Sequence, residues 1–348
     1  AAAGPALEGQ QIEQGMLAAP GVISDINPRN SKWLCSVLNE ELIAENGDLT
    51  DPLTGSIAKK GVMHGEVKGI TGTGVVAAIA RGLHEGIIVL PKIKTPDKKI
   101  HLQDGIIITE EDVVEAGKAM GAIRAGHMTL MNEAGIQMEE VKSTYMTGAL
   151  GTYIDAAKAQ QVGLVPSTAT RLIQVGNTSL ALACDLVITP EKLDELQDFA
   201  RKLRAKHIMF ATSKTFKNIY VIELSIWTEG MPFTMYNDML KLYNLPPLPM
   251  KKVRTKIDKM VERDIPNLGK LGITVLDDIG ITLTSSLSDC ILCKKCMNEC
   301  PEDAIRVIEK DDKRIVIIRS DRCSGTACMR CEIVCPKDTL KLREMKIK

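Results

Sequence analysis

Along the first 190 residues, glycine-punctuated apolar runs alternate with stretches of helical periodicity, the pattern of a layered α/β unit. Between residues 31 and 46 the apolar side chains Trp33, Leu34, Val37, Leu38, Leu42 and Ile43 recur every three or four positions, with Gly47 just beyond. That spacing predicts a helix with one buried face. A second helix is predicted over 75–83, opened by the glycine-rich turn 69–74, and a strand over 86–90, closed by Pro91. Asp104-Gly105 starts a turn and a short strand reaching Ile108. Thr109 and Asp112 then sit three apart, as a capping box requires, and predict a helix that runs to about Ala134 and stops at Gly135. Short strands are predicted at 143–146, 172–175 and 208–211, each followed by a turn and a helix. Pro190 suits the first turn of a helix over 191–206, where its missing amide hydrogen costs little. The pattern breaks at the proline-rich stretch 244–249, and six positive residues follow between Lys251 and Arg263. The expected organisation is an α/β domain over 1–243, a linker and connecting segment over 244–288, and a separate small domain over 289–348.

Composition narrows the class. At 348 residues, 45% hydrophobic and 25% charged, the chain has the make-up of a folded protein of two or three domains. Lysine plus arginine and aspartate plus glutamate both total 44, so no net field draws in nucleic acid or an anionic membrane, and neither is expected as a partner. No apolar run approaches the roughly 20 residues that span a bilayer, and no secretory signal opens the chain. A cytoplasmic location is therefore expected. The first residue is not Met, and the opening reads like the middle of a motif, so residue 1 is expected to lie inside a longer protein.

The most specific chemistry is C-terminal. Eight of the 10 cysteines fall between 290 and 335, in two runs: Cys290, Cys293, Cys296, Cys300-Pro301 and Cys323, Cys328, Cys331, Cys335-Pro336. The first has the bacterial ferredoxin spacing, in which the fourth cysteine of each run ligates the other cluster. Two-residue gaps let one tight loop aim three thiolates at three corners of a cubane, and the fourth ligand comes from elsewhere. Cys290, Cys293, Cys296 and Cys335 are thus the expected ligands of one [4Fe-4S] cluster, and Cys323, Cys328, Cys331 and Cys300 of the other. Around them, 301–305 parallels 336–340, and 304–308 with 314–318 predicts a hairpin. The four-residue gap between Cys323 and Cys328 lengthens one loop by two residues. Disulfides need an oxidising compartment, and structural zinc does not explain two interlocked runs ending in Cys-Pro. Cys35 and Cys184, in apolar contexts read as helical, are expected to act as small hydrophobes. The five histidines show no ligand spacing; His64 and His127 stand out only through their neighbours.

Three glycine-bearing turns, 4–9, 69–74 and 147–151, fall at expected strand-to-helix junctions, where bare amides can approach a nucleotide. Singly, each is also what any α/β domain needs for close packing. Together, the segments GPALEG, GITGTGVVAAIARGL, TEEDV leading to GAIRAG, TGALGTYID and QVGNTSLALA resemble the C-terminal half of the reductive activators of corrinoid proteins. With two ferredoxin runs appended, the resemblance is closest to the archaeal activators serving corrinoid-dependent methylamine methyltransferases. It implies an actin-like ATPase fold of the sugar kinase and heat-shock-protein superfamily, followed by an α+β ferredoxin domain. It also implies ATP-dependent reduction of Co(II) to Co(I) in a corrinoid protein, with ATP and Mg as further cofactors and a low-potential electron donor as a second partner. By position, Gly148 and Gly151 correspond to the adenosine-binding turn, Gly72 and Gly74 line the same cleft, and Gly4 and Glu8 lie near the phosphates. The chain departs from the family in two ways. It lacks both Asp-x-Gly-Thr phosphate loops, so the ATPase domain is expected to be incomplete at its N-terminus, and Thr147 stands where a second glycine is common. The rival reading is a ferredoxin-type carrier whose α/β part only docks it, with no ATP dependence.

Overall fold

A computed structural model of the chain describes residues 7–8, 11–203, 207–249, 253–264, 282–310, 313–320, 322–323, 325, 328–342 and 346–347. They divide into two compact units, 1–273 and 274–348.

The first unit opens with a mixed sheet: β1 (Val22–Arg29), β2 (Lys32–Leu38), β3 (Ala44–Thr50), β4 (Ile57–Lys59) and β5 (Gly69–Ile70), in the order β4-β3-β2-β1-β5. Only β1 and β5 run parallel. This sheet replaces the helix expected over 31–46. Asn30 and Ser31, both at positive φ (48° and 60°), form the two-residue loop that a tight hairpin demands. Beyond it Trp33, Cys35 and Val37 alternate inward. An alternating strand and a helix share positions i and i+4, so Trp33 and Val37 fit both periods, and the turn decides between them.

Helix α1 (Gly72–Glu85) packs on β1 and begins where Thr71 accepts a hydrogen bond from the Gly74 amide (3.1 Å). Gly86 closes it in the left-handed region. The strand expected over 86–90 shortens to β6 (Ile88–Val89), paired with β7 (Lys92–Ile93); β8 (Lys99–His101) pairs with β9 (Ile107–Thr109). The capping box forms as expected. Thr109 and Asp112 satisfy each other's backbone amides at the start of α2 (Glu110–Ala134), and Gly135 stops it.

A parallel sheet follows, ordered β10 (Ser143–Met146), β11 (Arg171–Gln174), β12 (Lys256–Lys259). Between these strands lie α3 (Gly148–Tyr153), α4 (Ala156–Val162), α5 (Thr178–Ile188), α6 (Lys192–Lys202), α7 (Lys214–Trp227) and α8 (Tyr236–Leu242). The strand expected at 208–211 is absent: those residues lead into Ser213, which caps α7 by accepting from the Phe216 amide. The third place in the sheet goes to β12, inside the basic stretch read as linker. Its residues are largely exposed and polar, so periodicity gives no sign of it. Cys35 is buried as expected but on a strand, which corrects the helical context read for it, whereas Cys184 does lie on a helix, α5, but is exposed there and not a buried hydrophobe.

In the second unit a four-stranded antiparallel sheet has the order β14 (Ile305–Lys310), β15 (Lys313–Arg319), β13 (Thr282–Ser286), β16 (Lys346–Ile347). The hairpin expected there is the β14–β15 pair. Two short helices, α9 (Lys295–Asn298) and α10 (Arg330–Ile333), carry Cys296 and Cys331. Leu287, Ile305, Val316, Ile318 and Leu340 form the core, with the cysteines packed against it.

Candidate cofactor sites

The second unit gathers its cysteines around two cavities. One is lined by Cys290, Cys293, Cys296 and Cys335, beside Leu287 and Pro336. Cys300, Cys323, Cys328 and Cys331 line the other, beside Pro301 and Ile318. Each cavity therefore takes three cysteines from one run and one from the other. The backbone repeats too: Lys294 and Met329, and Asp303 and Asp338, hold matching left-handed conformations before α9 and α10 and after the Cys-Pro steps. These tight turns are what bring closely spaced cysteines onto one cavity wall.

The thiols bear the marks of an assembled anionic site. Burial pushes Cys296 up, and the neighbouring Cys290 and Cys293 add to it against the Met297 amide. Cys331 is pushed up to about 11 by burial, with Cys323 and Cys296 adding and the Glu332 amide opposing. At Cys335 burial also pushes upward, but the Thr339 hydroxyl and the amides of Thr339, Lys337 and Leu340 outweigh it and hold the thiol low. Amide hydrogens point at sulfur elsewhere as well: Ala304 donates to Cys300 Sγ (3.2 Å) and Gly325 to Cys323 Sγ (3.3 Å). Four convergent thiols in mutual repulsion, with N–H groups aimed at sulfur, fit an iron–sulfur cubane. The metal charge removes the repulsion and leaves every ligand a thiolate.

In the first unit, β10 and β11 are adjacent and parallel, and each ends in a glycine turn leading to a helix. Open α/β sheets bind ligands in the crevice outside such carboxyl ends. Gly148 has φ +83°, and a side chain there would meet nothing within 4 Å. Its amide donates to the Gly176 carbonyl (3.2 Å), and the Thr147 hydroxyl does the same (3.0 Å) while contacting Thr178 Oγ1 (2.6 Å). Gln174 Nε2 ties the turn from below by donating to Gly151 O (2.8 Å) and Ile154 O (3.0 Å). The Gly176-Asn177-Thr178 turn was not assigned a site role from sequence; a glycine and a helix cap directly after a strand are its signal.

Gly72 and Gly74 have other surroundings. Both are buried in the first turn of α1. A Cβ on Gly74 would meet Ile23 O at 2.6 Å and the Ile70 side chain, so close packing on the sheet accounts for that glycine. Gly72 lies against Leu7 and Glu8. Burial raises the Glu8 carboxyl, and the facing Gly72 amide opposes this. Gly4 lies outside the described residues.

The chain thus joins an α/β domain, open at the carboxyl ends of its parallel strands, to a small antiparallel domain that sorts eight cysteines around two cavities. It belongs to the family described as the C-terminal domain of RACo, the ASKHA domain, whose profile matches residues 1–237. Residues 289–339 match the 4Fe-4S dicluster domain. The fold is accordingly that of an actin-like ATPase followed by a dicluster ferredoxin domain. A Methanosarcina barkeri relative, the "[Co(II) methylated amine-specific corrinoid protein] reductase", is 48% identical over 94% of this chain and 60% of its own length. The corrinoid activation enzyme RamQ of Eubacterium limosum is 29% identical over 47% of this chain and 28% of its own. The chain therefore spans less than two thirds of either relative. A solved reductive activator for a corrinoid, iron-sulfur protein aligns at TM-score 0.45 and 23% identity, over 63% of this chain and 34% of that one. Among the described residues no helix is long and apolar enough to cross a membrane.

Proposed function

We propose that this chain is the ASKHA and ferredoxin portion of a corrinoid-protein activator, which reduces Co(II) to Co(I) in a methylamine-type corrinoid protein at the expense of ATP. The observation that carries the reading is the joining, in one chain, of a RACo-type ASKHA domain and a 4Fe-4S dicluster domain. The kinship with the M. barkeri reductase favours the corrinoid partner.

Cys290, Cys293, Cys296 and Cys335 would hold one [4Fe-4S] cluster, and Cys300, Cys323, Cys328 and Cys331 the other. Bound there, the clusters supply one-electron chemistry at low potential. The protein's part is to keep the sulfurs hydrogen-bonded, through Ala304, Gly325 and Thr339, so that the fold helps to set the potential. Co(I) is a strong reductant, so electron delivery is uphill, and each tenfold shift in a one-electron equilibrium corresponds to about 59 mV. Nucleotide turnover offsets that deficit.

For ATP we assign the adenosine side to the open turn at Gly148 and Gly151. Gly72 and Gly74 would act by setting the position of α1. Glu8, whose carboxylate would repel phosphate directly, would act through Mg2+. The low-potential donor remains a partner to be supplied.

The test is anaerobic visible absorbance of the iron-loaded chain with a Co(II) corrinoid methyltransferase subunit and a low-potential reductant, with and without ATP. The Co(I) band is expected only with ATP. Equal reduction without ATP would identify a simple electron carrier and refute the coupling.

A further inference from the structure

We infer that Asp48, His64 and Asp104 form a binding site for one divalent transition-metal ion, separate in its residues and its chemistry from the cysteine sites. Three chain segments supply the donors: β3 carries Asp48, the turn after β4 carries His64, and the single helical turn Gln103–Gly105 carries Asp104. One donor atom from each lies within 4.8 Å of the other two. His64 Nδ1 and Asp48 Oδ2 are 2.7 Å apart.

The surroundings hold these groups in place. The Gly61 amide donates to Asp48 Oδ1 (2.8 Å), and the Val67 amide to Asp104 Oδ2 (3.0 Å). Gln103 bridges the two acids: its Oε1 accepts from the Asp48 amide (2.5 Å) and its Nε2 donates to Asp104 Oδ2 (3.1 Å). Only glycine fits at 61, where a Cβ would fall 1.9 Å from Gly47 O. Asp104 is held at φ 53°, ψ 34°. Ligand groups fixed in this way by outer hydrogen bonds are the common support of a bound ion.

The charge balance points the same way. Asp48 is 0% exposed. Among the described residues no lysine or arginine pairs with either carboxylate; the half-buried His64 is the one basic side chain against the buried Asp48, and Asp104 faces the pair from an exposed turn. A buried carboxylate without full compensation is costly. A divalent cation neutralises the pair.

One imidazole and two carboxylates, with no sulfur, suit zinc or manganese better than calcium or magnesium. Zinc bonds of about 2.0–2.2 Å put neighbouring ligands roughly 3.3 Å apart, so the His64–Asp48 pair need open by less than about 1 Å. The ion would clamp the 61–65 turn and the 103–105 turn onto β3. The competing account is a plain His64–Asp48 ion pair that ties the loop without metal.

The two are separated by titrating the iron-loaded, oxidised chain with Mn2+ in the absence of nucleotide, following free Mn2+ by electron paramagnetic resonance. One saturable Mn2+ per chain is expected, displaced by Zn2+. His64→Gln and Asp104→Asn should each weaken it at least tenfold, while the surface variant Asp258→Asn should not. Asparagine tolerates the left-handed backbone at 104, so that variant keeps its fold, and circular dichroism checks it. Absence of saturable binding, or equal binding in both variants, would overturn the site; failure of zinc to compete would overturn the transition-metal assignment.

Discussion

At the scale of single residues, two positions show how a side chain's surroundings set what it does. Asp51 is paired with Lys32, whose ammonium donates to its carboxylate, and the Leu53 and Thr54 amides add to this; together they hold the carboxyl below its usual range against a smaller effect of burial. A carboxyl depressed in the folded state stabilises the protein above its unfolded value, near 3.9, and loses that contribution as the pH falls through the folded value. Lys32→Met should therefore raise the Asp51 titration, read by carbon NMR of the carboxyl, and flatten the loss of stability below about pH 4. Gly148 presents the opposite case, since nothing within 4 Å presses on it and only its φ of +83° calls for glycine. Gly148→Val would cost about 1–2 kcal/mol in backbone strain and place two methyl groups in the proposed adenosine crevice. The expected result is a raised ATP requirement in the cobalt reduction assay with the iron content unchanged. An unchanged ATP requirement would remove Gly148 from the site.

Elements meet through small residues as much as through large ones. Helices α2 and α7 approach where Gly117 faces Trp227 and Gly121 faces Glu223. A Cβ on Gly117 would lie 2.6 Å from Trp227 Cε3, on an indole that is only 2% exposed. Replacing a mid-helix glycine by alanine gains about 1 kcal/mol of helix propensity, but overpacking a closed core costs roughly 1–3 kcal/mol. The buried ring has nowhere to go, so the cost wins: Gly117→Ala should destabilise the first unit by up to about 2 kcal/mol, seen in chemical denaturation. How legible an element is follows from the range of the forces that make it. The Thr109–Asp112 capping box, the Gly135 stop and the strand at 143–146 depend on neighbours a few positions away, and the sequence displays them. The hairpin at Asn30-Ser31 was obscured because Trp33 and Val37 satisfy both periods. β12 carries no apolar signature, since Lys256 and Asp258 earn their places by pairing with β11 and Arg171. Candidate sites divide in the same way. Cysteine spacing reveals a local ligand loop, whereas Asp48, His64 and Asp104 converge from three segments and show no pattern until the chain is folded.

Across the whole molecule, the two units differ in what holds them together. The first has extended apolar cores, one running from Leu7 to Trp227 and another centred on Ile222, Tyr236 and Leu240. Among the described residues of the second, the core cluster is Leu287, Ile305, Val316, Ile318 and Leu340, with cysteines making up much of the layer around it. So small a core leaves iron ligation to carry much of its stability, as in other small metal-bound domains. Its two halves are interlocked, because each cavity draws its fourth cysteine from the other run. Cys335→Ala is the sharpest probe of that exchange. If the runs cross, the variant loses the cluster held by Cys290, Cys293 and Cys296, although all three are intact, and keeps the one whose cavity contains Cys331, its near neighbour in sequence. Iron should fall from about eight to about four per chain, or to about seven if the site of Cys290, Cys293 and Cys296 converts to a three-iron form with a distinct paramagnetic signal. The control is Cys300→Ala, which should strip the opposite site. Were the runs independent, Cys335→Ala would instead damage the site of Cys323, Cys328 and Cys331. Pairing each variant with alkylation of the cysteines it frees distinguishes the two schemes: the crossed scheme requires that Cys335→Ala expose Cys290, Cys293 and Cys296 to the reagent while Cys323, Cys328 and Cys331 stay protected.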